Sequence, residues 1–275
     1  MKRVLLTFSD NHFSMAALNF VCAMNRMEPV CLTGIFLSRF DFSDLLNMAS
    51  TDVPDGDTIS PAEIPASVQT NRNIVLFECY CRKNHINFRS HTEYVNASLE
   101  ELKMQSRFAD LLVVSSEQFY KHAGEASENF YLNYVLHELE CPLVIVPEKP
   151  CSPETNILAY DGSASSVFAI RQFAALFPGW TSHPTIVFHS VKTGADEWPK
   201  EAEIRELIAT YFSNTTWQLL VLPPNDGMNT WLAGHGNGII VSGSYGRSGV
   251  SMLFRKSYTT EPVNDFQLPI FITHK

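Results

Sequence analysis

Two segments 127 residues apart carry the same pattern, and this recurrence restricts the fold more than any other feature of the chain. Cys141-Pro142-Leu143-Val144-Ile145-Val146 aligns with Leu268-Pro269-Ile270-Phe271-Ile272-Thr273, and Leu112-Val113-Val114-Ser115 aligns with Ile239-Ile240-Val241-Ser242 at the same offset of 127. Self-similarity at a fixed period marks a repeated structural unit. Asp10 and Asp161, each closing an apolar run, lie 151 apart, so the first copy holds 24 more residues than the second. The aperiodic stretch 41–67 collects Asp, Ser, Pro and Gly and is the place for that extra length; it reads as loop. The first unit then spans 1–149 and the second 150–275, joined at Pro147 to Pro153, where three prolines in seven residues read as a stiff exposed connector.

Within each unit, short β-rich runs alternate with longer helical ones. Strands are predicted at Val4 to Ser9, Val30 to Leu37, Ile86 to Val95, Leu111 to Ser115 and Leu143 to Val146. Helices are predicted at Ser14 to Met27, Val68 to Lys83, Ser98 to Phe108 and Asn129 to Glu140. The second unit repeats the theme: strands at Ile157 to Tyr160, Thr185 to Ser190, Trp217 to Leu222, Ile239 to Ser242 and Ile270 to Thr273, with helices at Ser165 to Phe177 and Glu201 to Phe212. Strands that are apolar throughout, separated by helices, imply a mainly parallel sheet covered on both faces.

Composition sets the outer limits. A 45% hydrophobic content supplies a core, and the net charge of −9 makes a phosphate backbone a poor partner, so nucleic acid is not expected. No run reaches the ~20 apolar residues of a membrane span. The apolar N-terminus runs into Asp10 with no small-residue cleavage site, so it reads as a first strand, and a cytoplasmic protein is expected. The six cysteines show no disulfide-framework spacing. Cys79 and Cys81, with His85 and His91, resemble a metal cluster on paper. Residues two apart on a helix do not share a face, so no metal is expected.

The chemistry-bearing residues gather at predicted strand ends. Ile239 to Ser242 empties into Gly243-Ser244-Tyr245-Gly246, with a helix expected next. Asp161-Gly162-Ser163 follows the first strand of the same unit. Glycines let a backbone approach a ligand, helix-start amides favour an anion, and ligands of open parallel sheets sit beyond the carboxyl ends of the strands. A carboxylate such as Asp161 can accept hydrogen bonds from a ribose or a base. The competing reading is that Asp161 caps the next helix and the glycines only turn the chain. Gly234-His235-Gly236-Asn237-Gly238 precedes its strand, so it reads as a flexible loop and not as a dinucleotide fingerprint.

These motifs resemble the universal stress protein family, in a tandem form with two domains in one chain. The family's units open on a strand ending in Asp-Gly-Ser, matched by Asp161-Gly162-Ser163. They close with Gly-x2-Gly-x9-Gly-Ser/Thr, a helix and a Pro-led strand; Gly243-x2-Gly246 matches, and nine residues later comes Lys256-Ser257. The resemblance implies an α/β fold of two Rossmann-like (adenine nucleotide alpha hydrolase-like) units, each a mainly parallel five-stranded sheet with helices on both faces. It further implies a site for ATP, AMP or another adenine nucleotide in the C-terminal unit, built from Asp161, Ser190, Gly243, Gly246, Lys256 and Ser257. Ser190 falls near the position where the family sets an apolar residue against the base, and Lys256 replaces the third signature glycine, where its side chain either pairs with the phosphates or fills their space. The first unit departs further: Asn11-His12 replaces Gly-Ser, and Ser116 and Phe119 replace the two glycines, so no nucleotide is expected there in the usual pose. The family dimerises through its last strands. A tandem chain can pair Leu143 to Val146 with Ile270 to Thr273 internally, as a pseudo-dimer, or meet a second copy as a homodimer.

The function implied is a stress-response regulatory or binding module with no catalytic residues and at most weak ATP hydrolysis. The alternatives are an interaction or scaffold protein that has lost nucleotide binding, and an adenine-nucleotide hydrolase-type enzyme. The last needs a Ser-Gly-Gly-x-Asp-type loop, which neither Ser9-Asp10-Asn11-His12 nor Asp161-Gly162-Ser163-Ala164 supplies.

Overall fold

The computed structural model describes residues 1–9, 12–37, 68–95, 99–116, 138–149, 152–191, 197–221, 227–243 and 268–273. In chain order the elements are β1 (Lys2–Ser9), α1 (Met15–Met27), β2 (Val30–Leu37), α2 (Val68–Lys83), β3 (Asn87–Val95), α3 (Leu99–Ser106), β4 (Leu111–Ser115) and β5 (Leu143–Val146). They continue with β6 (Thr155–Ala159), α4 (Ala164–Leu176), a 3-10 turn (Pro178–Trp180), β7 (Thr185–Val191), α5 (Glu201–Tyr211), β8 (Thr215–Val221), α6 (Gly227–Ala233), β9 (Gly238–Gly243) and β10 (Ile270–Thr273).

Among the described residues the strands form one ten-stranded sheet in the order β3-β2-β1-β4-β5-β10-β9-β6-β7-β8. Read outward from the centre, β5-β4-β1-β2-β3 and β10-β9-β6-β7-β8 are the same order twice. The fold is thus α/β and mostly parallel. The exception among the described pairs is the centre, where β5 and β10 run antiparallel with Ile270 opposite Ile145, Phe271 opposite Val144 and Ile272 opposite Leu143.

That centre follows from the side chains. Every residue of β5 (Leu-Val-Ile-Val) and of β10 (Ile-Phe-Ile-Thr) is buried. A strand apolar on both faces cannot remain an edge, because its open N–H and C=O groups would recruit another chain. Alternation then divides the core. Val144, Val146 and Phe271 face one layer with α1, α2, α4 and α5, while Leu143, Ile145, Ile270 and Ile272 face the other with α3 and α6. Aromatic rings close the joint on the first face: Phe173 and Phe177 stand edge-on to Phe271 at 5.5 and 5.9 Å, and Phe20 of α1 meets Trp180 edge-on at 5.6 Å.

Two expectations change. The Pro147 to Pro153 connector is exposed at Glu148, Lys149 and Ser152 as expected, but its two ends, Pro147 and Pro153, are buried. The Gly234 to Gly238 segment is not a loose loop: Gly234, His235 and Gly238 donate backbone hydrogen bonds to Trp231, Leu232 and His235, and Gly238 opens β9. It closes α6, which is too short for sequence periodicity to show. Of the helix expected over Asn129 to Glu140, residues 138–140 are irregular, and 129–137 lie outside the described residues, as does the 41–67 stretch.

Phe271→Ala should cost about 3–5 kcal/mol, the range for a large buried aromatic. All four tryptophans lie beyond residue 179, so their fluorescence reports the second half while circular dichroism reports both. In denaturant titrations the two signals should move together to the lower midpoint, because both core layers cross the joint.

Candidate functional site

The carboxyl ends of β6, β7 and β9 meet in the second half. β6 pairs in parallel with both neighbours, with Ala159 opposite Phe188 and Leu158 opposite Val241. Carried on by two residues, that register sets Asp161 beside Ser190 and Tyr160 beside Gly243. Side-chain alternation then puts Asp161 and half-buried Ser190 on one face and Tyr160 and His189 on the other.

Asp161 starts a tight turn into α4. Its carboxylate accepts from the Ser163 N–H at 2.9 Å, and the Ser163 hydroxyl in turn caps the helix by accepting from the Ser166 N–H at 3.1 Å. Burial alone would push the Asp161 carboxyl up, but hydrogen bonds from Ser163 and Ser166 outweigh it and hold it below the ordinary aspartate value. Asp161 therefore stays ionised at neutral pH. Gly162 has a φ of +79°, and a Cβ there would lie 2.6 Å from Pro199. Both facts demand glycine.

Gly243 ends β9. A Cβ on it would sit 2.5 Å from the Ser165 carbonyl carbon, so the first turn of α4 lies directly on this glycine. The close approach expected of a ligand is here made by the protein's own helix start. It brings the N-terminal amides of α4 to the carboxyl end of β9. Gly246, Lys256 and Ser257 lie outside the described residues.

The opposite face carries an aromatic wall that sequence reasoning missed. Trp198 stacks on Tyr160 at 6.2 Å, stands edge-on to Trp217 at 5.0 Å and lies 5.8 Å from His189. The Tyr160 hydroxyl donates to the Pro199 carbonyl at 2.6 Å, and His189 Nδ1–H donates to the Tyr160 carbonyl at 2.9 Å. Arg205 lies 4.3 Å over the Trp217 ring. The one sequence cue was Trp198-Pro199 just ahead of a helix.

The first half is built differently at the same place. Ser14 caps α1, accepting from the Ala17 N–H at 3.1 Å, much as Ser163 caps α4. Here Glu148, two residues past β5, reaches in. Its carboxylate accepts from the Ser14 hydroxyl at 3.0 Å, pairs with His12 Nε2 at 2.8 Å and hydrogen-bonds Ser115. Burial pushes its carboxyl up, yet the bonds from His12, Ser14 and Ser115 bring it below the usual glutamate value. Ser116 is buried; Asp10, Asn11 and Phe119 are outside the described residues. The paper metal cluster separates: Cys79 is exposed, while Cys81 is buried, and desolvation, then nearby Cys22, pushes its thiol up to about 12. No group of metal-ligating side chains occurs among the described residues.

No protein-family model matches the chain, and no curated protein resembles it in sequence at a significant level. Solved structures do match. One is a universal stress protein from Archaeoglobus fulgidus DSM 4304, at a TM-score of 0.65 and 13% identity over 100% of this chain and 96% of that one. The chain has the fold of the universal stress proteins. A second protein described in that family, from Pseudomonas aeruginosa UCBPP-PA14, superposes at a TM-score of 0.50 and 13% identity over 100% of this chain and 93% of its own. A functionally unknown protein from Pseudomonas aeruginosa PAO1 gives 0.50 and 12% over 100% and 92%. At these identities the likeness describes the fold; the use made of its strand ends must come from the residues.

Two measurements test the geometry. Gly243→Ala forces the Ser165 backbone to move and should lower stability by about 1–3 kcal/mol in chemical denaturation, with or without ligand. For Glu148 the folded value is depressed, so its contribution is present above the unfolded glutamate value and lost as pH falls through the folded one. Glu148→Gln should therefore be less stable than the parent at neutral pH, and the gap should close as acid protonates the parent's carboxyl.

Proposed function

We propose that this chain is a tandem universal stress protein, with units 1–149 and 150–275 held as an internal pseudo-dimer. Its second unit binds an adenine nucleotide, ATP or AMP, at Asp161, Ser190, Gly243, Gly246, Lys256 and Ser257. The observation that carries the reading is the seating of the α4 start on Gly243 beside the ionised Asp161. Helix-start amides favour phosphate, and a strand-end carboxylate suits a ribose hydroxyl or a base N–H. Lys256 would add a charge-assisted hydrogen bond to the phosphates. No residue takes a catalytic role in this reading, so the protein acts by binding, as a cytoplasmic stress-response module. No helix among the described residues is long and apolar enough to cross a membrane.

The second reading is an interaction protein without nucleotide. The strand ends give it some support, because Asp161 is already engaged by Ser163 and Ser166, and the first half already holds a carboxylate at its own helix start.

Calorimetric titration of the full chain decides between them. ATP should bind at one site, Gly246→Phe should abolish binding, and Phe119→Ala should leave it unchanged. Lys256→Ala should weaken ATP by about tenfold or more while hardly touching adenosine, since a charge-assisted bond contributes about 1.5–3 kcal/mol. If the parent binds neither ligand, the interaction reading stands.

A further inference from the structure

We infer that the Glu148 carboxylate is a built-in anion, filling the strand-end cradle of His12, Ser14 and Ser115 and closing it to phosphate-bearing ligands. Ser14 and Ser115 are 2% and 0% exposed, and buried hydroxyls need an acceptor. One carboxylate serves both and also pairs with His12, so its oxygens take the place that the oxygens of an external oxyanion would take at the start of α1. The contacts span 134 and 136 residues of sequence, so local chain geometry does not dictate them.

Tethering makes the plug effective. Glu148 follows Pro147 directly out of β5, whose strand is fixed on both sides by β4 and β10. A group held this way competes with a free anion at an effective concentration of the order of millimolar or above. The same contact ties the end of β5 to α1 and β4 within the first half. At the 127-residue offset the counterpart of Glu148 is Lys275, a base, so the second unit does not repeat this acid. The inference stands apart from nucleotide binding in the second unit.

The test compares thermal unfolding of the full-length parent and Glu148→Ala, in inorganic phosphate and in chloride at matched ionic strength. Any phosphate response of the second unit is common to both proteins and cancels. Glu148→Ala should unfold at lower temperature in chloride and recover by about 2–4 °C or more in millimolar phosphate, beyond any shift of the parent. Adding Ser14→Ala to Glu148→Ala should erase that recovery. Equal phosphate shifts in parent and Glu148→Ala would overturn the inference, and so would a recovery that survives Ser14→Ala. If Glu148→Ala does not fold in chloride, it should refold from denaturant in phosphate; failure in both also overturns it.

Discussion

The antiparallel contact between β5 and β10 is the constraint on which the rest of the molecule depends. Each strand is only four residues long and buried on both faces, so neither can stand at an edge. Once they pair, the two parallel halves become a single sheet, and its two faces define two continuous core layers. Phe271 shows how tightly this couples the halves: it is hydrogen-bonded into the sheet opposite Val144 while Phe173 and Phe177 hold its ring from above.

The strand ends show the same architecture put to two uses. In both halves a serine caps the helix after the first strand. In the second half that helix presses on Gly243, and Asp161 braces the turn before it. In the first, a distant glutamate satisfies the capping serine, a second buried serine and a histidine together. A buried hydroxyl without an acceptor costs about 1–3 kcal/mol, so the loss of an external anion from such a cradle would need compensation, and Glu148 provides it.

How much of this was legible in the sequence depends on the range of the interaction. Strand and helix positions were, because apolar runs and periodicity are local: Val30–Leu37, Val68–Lys83, Leu111–Ser115 and Leu143–Val146 coincide with the expected spans. The separation of Cys79 from Cys81 was too, because helical rotation alone decides it. Glu148 was not. A charged residue between prolines looks like a solvated linker until partners more than a hundred residues away fold onto it. At Gly243 a sequence shows that backbone must come close, but not that the Ser165 carbonyl is a group that does so. The role of Trp198 was not legible for the same reason, since its partners Tyr160, His189 and Trp217 come from three separate strand segments.

The direction of the central pair has one more consequence. Parallel strands send their carboxyl ends to a common rim, and an antiparallel neighbour sends its own to the other. The Glu148 cradle and the Asp161 turn therefore open on opposite rims of the ten-stranded sheet. No small molecule can bridge them, and a partner docked over one leaves the other uncovered. Whatever passes between the two ends must cross the sheet along its strands, which at the centre, where β5 and β10 lie side by side, are four residues long.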